Sequence, residues 1–330
     1  MHATRAQILA FRRRVGALDE RLPRGARSLR TAAWAGVQDS MPRAAVLSLH
    51  ARVDGTRPDA WDDPALVQVW GPRYQLYVVP AEDLAVFTYG RLPDGGMIRA
   101  RAEDLAARVR DVLGAERMRY DDVGRALGTH GNNLRYAALT GTLAVRWEGA
   151  RRPLVWLVDP PAIGRDDAAR ELARRFLHVY GPTTAAAFGK WSGVGAPKAA
   201  RIFADLGDEL IPVDRAFLLA QDEELFRAEA APPAAARLLP SGDAYWLHGT
   251  AEERALLVPD AARRDELWTP RVWPGALLVG GEIAGVWRRA QRKVTIATWR
   301  RLTRAERESV VAEAESLPLP DAGATTVEWV

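Results

Sequence analysis

The chain of 330 residues has no cysteine. That excludes disulfides, thiol nucleophiles, iron–sulfur clusters and any zinc site that needs thiolate, and it fits a reducing compartment. Histidine is scarce and scattered, at His2, His50, His130, His178 and His248. None of these forms HExxH or another compact ligand set, so neither a metal nor a cofactor is expected. No apolar run approaches the roughly 18 to 20 residues of a membrane helix. A signal-peptide core is lacking too, because Phe11 is followed at once by Arg12, Arg13 and Arg14, which suits an amphipathic first helix in a cytoplasmic protein. GxxxxGK[ST], GxGxxG and GxSxG are all absent, which removes support for nucleotide hydrolysis, dinucleotide redox chemistry and ordinary serine hydrolysis.

What is present is a globular composition, 48% hydrophobic and 27% charged, at a length that suits two to four compact units. The net charge of +4 is small but segregated. Ten arginines lie between Met1 and Arg52, and seven arginines and Lys293 lie between Arg271 and Arg304, while the rest of the chain is net acidic. Two basic poles around an acidic middle suit a protein that lays two surfaces against phosphates.

The clearest pattern recurs as helices followed by a β-hairpin. ELARRFLHVYG places Leu172, Phe176, Leu177 and Tyr180 on one helical face. Thr183 and Thr184 offer caps for a helix over TAAAFGKW, AARIFADLGDEL gives a third helix, and IPVDRAFLLA two short strands. This is the order of a winged helix, over 166–230. A second copy over 98–165 ends in the strand-like runs TLAVRWEG and RRPLVWLVD. A first copy over 1–97 has helices around Arg5–Leu18, Arg27–Val37 and Arg43–Arg52, then the β-prone YQLYVV. After a proline-rich stretch near Ala230, residues 231–330 alternate around Gly280-Gly281 as a small barrel would. They close with a helix over Thr303–Leu317 that begins at a Thr303/Glu306 capping box. The expected fold is α+β, with three tandem winged helices followed by a small C-terminal β-barrel.

Four segments then carry a resemblance: WAGVQDSMPRAAVLSLHARV, GPRYQLYVVPAEDL, FLHVYGPTTAAAFGKWSGV and ALLVGGEIAGVWRR. In this order, and over nearly the whole chain, the sequence resembles the winged-helix crosslink-repair DNA glycosylases of the AlkZ and YcaQ kind. The resemblance implies a DNA channel and excision of N7-alkylguanine-type lesions, with unhooking of interstrand crosslinks in some members. It also implies double-stranded DNA as partner, monomeric action and a place at the nucleoid. The family motif Gln-X-Gln or Gln-X-Asp falls on Gln38, Asp39 and Ser40, with serine at the last position. A base alkylated at N7 is cationic and leaves without a general acid, so the enzyme mainly positions water and stabilises charge on the sugar. Gln38 is expected to hold the water and Asp39 or Ser40 to assist, with all three in the first turn of the helix that runs to Arg52. No lysine lies near the motif, which points to monofunctional hydrolysis. The family's RGT-x-H stretch reads GPRYQLY here, keeping Arg73 and carrying Tyr77 in the region of the histidine. Arg43, Arg73, Arg288, Arg289, Arg292 and Lys293 are the expected DNA-backbone ligands, the last four on one hairpin. The competing reading is a winged-helix protein that binds lesions or regulates transcription without chemistry.

Overall fold

The computed structural model describes residues 1–39, 43–149, 151–229, 233, 235–247, 249–320 and 323–330. Arg5–Val15 (α1) opens with a capping box between Thr4 and Gln7. Ala26–Ala32 (α2) follows, then the two-residue strand Val37–Gln38 (β1) and Ala44–His50 (α3). The helix expected through Val37 ends early because Gly36 takes φ 78°, which lets the chain turn into a strand. Gln38 and Asp39 therefore precede α3 instead of occupying its first turn, and Ser40 lies outside the described residues.

Leu66–Trp70 (β2), not among the expected elements, forms an antiparallel hairpin with Leu76–Pro80 (β3), and β1 pairs with the other edge of β3. Leu84–Phe87 (α4) leads to Gly96–Leu113 (α5), Met118–Arg119 (β4), Tyr120–Ala126 (α6) and Leu134–Ala137 (α7). The hairpin Leu143–Arg146 (β5) and Leu154–Leu157 (β6) follows. The two hairpins share a sheet. Gln68 pairs with Val145, and the strands join in one six-stranded sheet of order β1-β3-β2-β5-β6-β4.

Arg165–Tyr180 (α8), Ala185–Ser192 (α9), Ala196–Leu206 (α10) and the hairpin Leu210–Val213 (β7) and Ala216–Leu219 (β8) follow the expected pattern, with the Thr184 hydroxyl capping α9. Beyond them come Glu223–Arg227 (α11), Arg237–Leu239 (β9), Ala251–Leu257 (α12) and Ala261–Leu267 (α13). Gly275–Val279 (β10), Glu282–Ala290 (β11), Lys293–Thr298 (β12), Arg304–Glu315 (α14) and Thr326–Trp329 (β13) complete the chain. The Thr303/Glu306 capping box is formed.

The last five strands run β13-β12-β11-β10-β9, and among the described residues no ladder joins β9 to β13. The C-terminal sheet is open, where a closed barrel was expected. Closure is unnecessary because helices cover both faces. Leu277 and Val279 pack with Val310 and Ala314 of α14, whereas Ala276 and Leu278 pack with Leu9 of α1, Leu257 and Leu267. No described helix is long and apolar enough to cross a membrane.

Candidate active site

The centre of the site is the β1-β3-β2 corner of the six-stranded sheet. Strand side chains alternate between faces. The register pairs Gln38 with Tyr77 and Tyr77 with Val69, which sets these three on one face. Val37, Val78 and Gln68 take the other. The first face meets the α8–α9 core, where Tyr77 and Val69 join Phe176 and Trp191, and the second packs on α3 through Val37, Val78 and Val46.

Gln38 is half-buried. Its Oε1 accepts a hydrogen bond from Arg73 Nη2 at 3.0 Å and a longer one from the Tyr77 hydroxyl at 3.4 Å. Tyr77 is buried, which pushes its pKa up. Its ring is enclosed by two glycines: a Cβ at Gly36 or at Gly71 would stand 3.0 Å from it. Arg73 reaches Gln38 from a turn over Pro72–Tyr74, in which Arg73 and Tyr74 take φ 55° and 59°. Beneath that turn Arg91 is buried, and its guanidinium donates to the carbonyls of Ser192 and Trp70. Burial lowers the Arg91 pKa to about 10.

A third wall comes from far along the chain. Gly242, at φ 78°, lies so close that a Cβ there would stand 3.1 Å from Gln38 Nε2. The turn is fixed by the next residue: the Asp243 carboxylate, fully buried, takes two hydrogen bonds from Arg52, at 2.7 and 2.8 Å. The sequence pattern gave no role to Gly242 or Asp243. The Pro240-Ser241-Gly242-Asp243 composition signals a turn, but nothing local shows that the turn meets residue 38.

Asp39 does not join Gln38. Its side chain lies on the opposite face, 1% exposed, where Oδ1 accepts from the Ala45 amide at 3.0 Å and Oδ2 from Gln68 Nε2 at 2.7 Å. Gln68 Oε1 in turn accepts from the Trp147 amide at 2.6 Å. Burial raises the Asp39 pKa to about 6, against the opposing pull of these donors and of Arg43. Arg43, with φ 67° before α3, stacks over Trp61 at 3.9 Å, donates to Trp147 O at 3.3 Å and stands 4.0 Å from Asp39. Asp39, Gln68 and Arg43 thus tie the start of α3 to the β5–β6 hairpin.

Arg288 and Arg289 are exposed on β11 and line a cleft of about 250 Å³ together with Ala44, Leu47, Pro240 and Ser241. The structure therefore brings two of the four hairpin cations to the loop that walls Gln38. Arg292 lies at the far end of the hairpin beside Gly323, and Lys293 is paired with Glu328 at 2.8 Å. Much of the N-terminal basic pole is consumed internally. Arg12 is 3% exposed and donates to the carbonyls of Tyr180, Gly181 and Pro182. Arg13 binds Asp19 and Gly281 O, Arg5 binds Glu282, and Arg21 binds Glu313. These arginines fasten the N-terminal segment to α8, the C-terminal sheet and α14, so charge counting overstates the surface they offer to phosphate.

A family model described as DNA glycosylase AlkZ-like matches residues 31–318 of the chain. A curated Streptomyces sahachiroi protein, an interstrand DNA cross-link repair glycosylase, is 29% identical over 157 residues, 45% of this chain. That aligned segment spans 42% of the relative's own length, under half of it. The solved structure of the Streptomyces sahachiroi DNA glycosylase AlkZ superposes over 100% of both chains with a TM-score of 0.83 at 20% identity, a likeness of fold.

Proposed function

We propose, for a chain that belongs to the AlkZ-like DNA glycosylase family, that it hydrolyses the glycosidic bond of cationic N7-alkylguanine-type lesions in duplex DNA, interstrand crosslinks included. The observation that carries this reading is the enclosure of Gln38 by Arg73 and Tyr77 of the β2–β3 hairpin and by Gly242 from far along the chain, which converge on one amide. An ordinary surface glutamine has no need of such a setting. Gln38 holds the attacking water through its carbonyl oxygen. The leaving base carries its own positive charge, so no general acid is required. Asp39 serves the site from behind, by holding α3 against the sheet. Arg288 and Arg289 take the DNA backbone along the cleft at Pro240–Ser241, with Arg43 beside Ala44 of that cleft and Arg292 and Lys293 further along the same hairpin as outlying contacts. The helical units at 1–97, 98–165 and 166–230 act as tandem winged helices, with 231–330 as the open C-terminal sheet. The protein works as a monomer, in the cytoplasm at the nucleoid, without cofactor or covalent intermediate.

The test is release of N7-methylguanine from alkylated duplex DNA by the purified chain, with a crosslinked duplex as second substrate and Gln38→Ala alongside. Hydrolysis that falls about tenfold or more in the variant, with DNA affinity nearly retained, is expected for loss of a group acting in the transition state. Tight duplex binding with no release from either substrate would shift the assignment to a lesion-binding protein without chemistry, consistent with Ser40 standing at the second motif position.

A further inference from the structure

We propose that Arg73 is a latch on Gln38: in the DNA-free protein it occupies the carbonyl oxygen that the attacking water needs, and it leaves that oxygen for a phosphate when duplex docks. The inference rests on the reading of Gln38 as the water-holding residue. An amide oxygen accepts two hydrogen bonds. Here both positions are taken, by Arg73 at 3.0 Å and Tyr77 at 3.4 Å. A guanidinium at that distance also lowers the basicity of the oxygen, and its charge opposes the positive charge that grows on the sugar as the base departs. The arrangement is stable but unsuited to attack, and loss of the Arg73 bond corrects both defects.

The two donors differ in freedom to move. Tyr77 is 1% exposed, boxed in by Gly36 and Gly71 and met edge-on by Trp191, so its hydroxyl stays in place. Arg73 has a fixed base and a mobile tip. Its backbone sits in consecutive left-handed conformations with Tyr74, which side chains adopt only where the surroundings enforce them. The Tyr74 ring lies under the Arg91 guanidinium at 5.1 Å, and Arg91 is itself bonded to two carbonyls. The half-buried Arg73 side chain extends from that anchor through freely rotating methylenes. It has reason to leave as well, because Arg91 is a second cation beside it and a phosphate is a stronger, bidentate partner for guanidinium than a neutral amide. DNA binding then switches on the water site, and the free enzyme holds it closed.

The test uses the full chain with Arg73→Met, which keeps an unbranched apolar stem and removes the guanidinium with its charge, and Arg73→Lys, which keeps charge. First, binding of an alkylated duplex is measured against salt. Arg73→Met is expected to reduce the slope of log affinity against log salt by about 0.9, one phosphate, with Arg73→Lys retaining it. Second, the Gln38 side-chain amide is followed by 15N NMR, assigned with Gln38→Ala. In the wild type it shifts on addition of unmodified duplex, and in free Arg73→Met it already lies near the DNA-bound position. Third, on a trinucleotide carrying N7-methylguanine, too short to draw the latch away, Arg73→Met releases base about threefold or more faster than the wild type, as expected for an unblocked acceptor. An unchanged salt slope, or an amide signal indifferent to DNA, overturns the latch. So does slower release by Arg73→Met on every substrate, which would make Arg73 a fixed positioning residue. If the wild type releases no base at all, the reading of Gln38 fails, while the salt slope and the amide signal still decide whether Arg73 moves to phosphate.

Discussion

Two neighbouring residues, Gln38 and Asp39, have different work because strand geometry sends their side chains to opposite faces. Asp39 is a buried carboxylate whose pKa is raised to about 6 by desolvation, with the Ala45 and Gln68 donors and the Arg43 charge insufficient to cancel it. Between the ordinary aspartate pKa and about 6 the folded chain therefore binds more protons at Asp39 than the unfolded chain does. Its contribution to stability is full below about pH 4 and is lost as pH rises through 6. The rise from 3.8 to about 6 corresponds to about 3 kcal/mol. Thermal unfolding between pH 4 and 7 should show this slope in the wild type and lose it in Asp39→Asn. An equal slope in the variant would assign the pH dependence to other groups. The motif residues were legible in the sequence because the family spacing marks Gln38. Their division of labour was not, since it depends on β1 being a strand where a helix had been expected, and that follows from φ 78° at Gly36 and pairing with a strand about 40 residues away.

At the scale of elements, the local helices and hairpins were readable and their assembly was not. Caps at Thr184 and Thr303, the apolar face of α8 and the strand-prone runs that become β5, β6, β10, β11 and β12 are written within a few residues, and the structure forms these elements. The single Gln68–Val145 pairing that merges two hairpins, and the parallel pairing of β13 on β12, depend on partners distant in sequence. The turn over Gly242 and Asp243 is the functional case. It reaches Gln38 only because Arg52, at the end of α3, clamps Asp243. Arg52→Ala leaves that carboxylate buried without its cation, with the Tyr245 amide at 2.9 Å as a remaining donor, and should cost about 3 to 5 kcal/mol in chemical denaturation. Gly242→Ala adds a Cβ 3.1 Å from Gln38 Nε2 at a backbone angle that alanine resists. Displacement of the amide should lower base release about tenfold or more, with duplex affinity retained. Release at the wild-type rate would mean that the contact does not hold Gln38.

For the molecule as a whole, the question is which arginines meet DNA, because most of the N-terminal pole binds protein. Arg5, Arg12, Arg13, Arg21 and Arg52 each hold a carboxylate or carbonyl from a distant segment, and such bonds stiffen the molecule without attracting a polyanion at long range. Arg288 and Arg289 are exposed cations on the cleft that the Gln38 wall shares, and each donates to a backbone carbonyl, at 3.3 and 2.7 Å. Counterion release gives this a number. Each phosphate neutralised contributes about 0.9 to the slope of log affinity against log salt on duplex DNA. Arg288→Ala with Arg289→Ala should therefore flatten the slope by about 1.8 and weaken binding to undamaged and alkylated duplex alike. Arg12→Ala should instead destabilise the fold, because three buried carbonyls lose their donor, while leaving the slope of the folded fraction intact. A slope that responds to Arg12 and ignores Arg288 and Arg289 would place the DNA away from the Pro240–Ser241 cleft, and the assignment of Gln38 would then lack a substrate within reach.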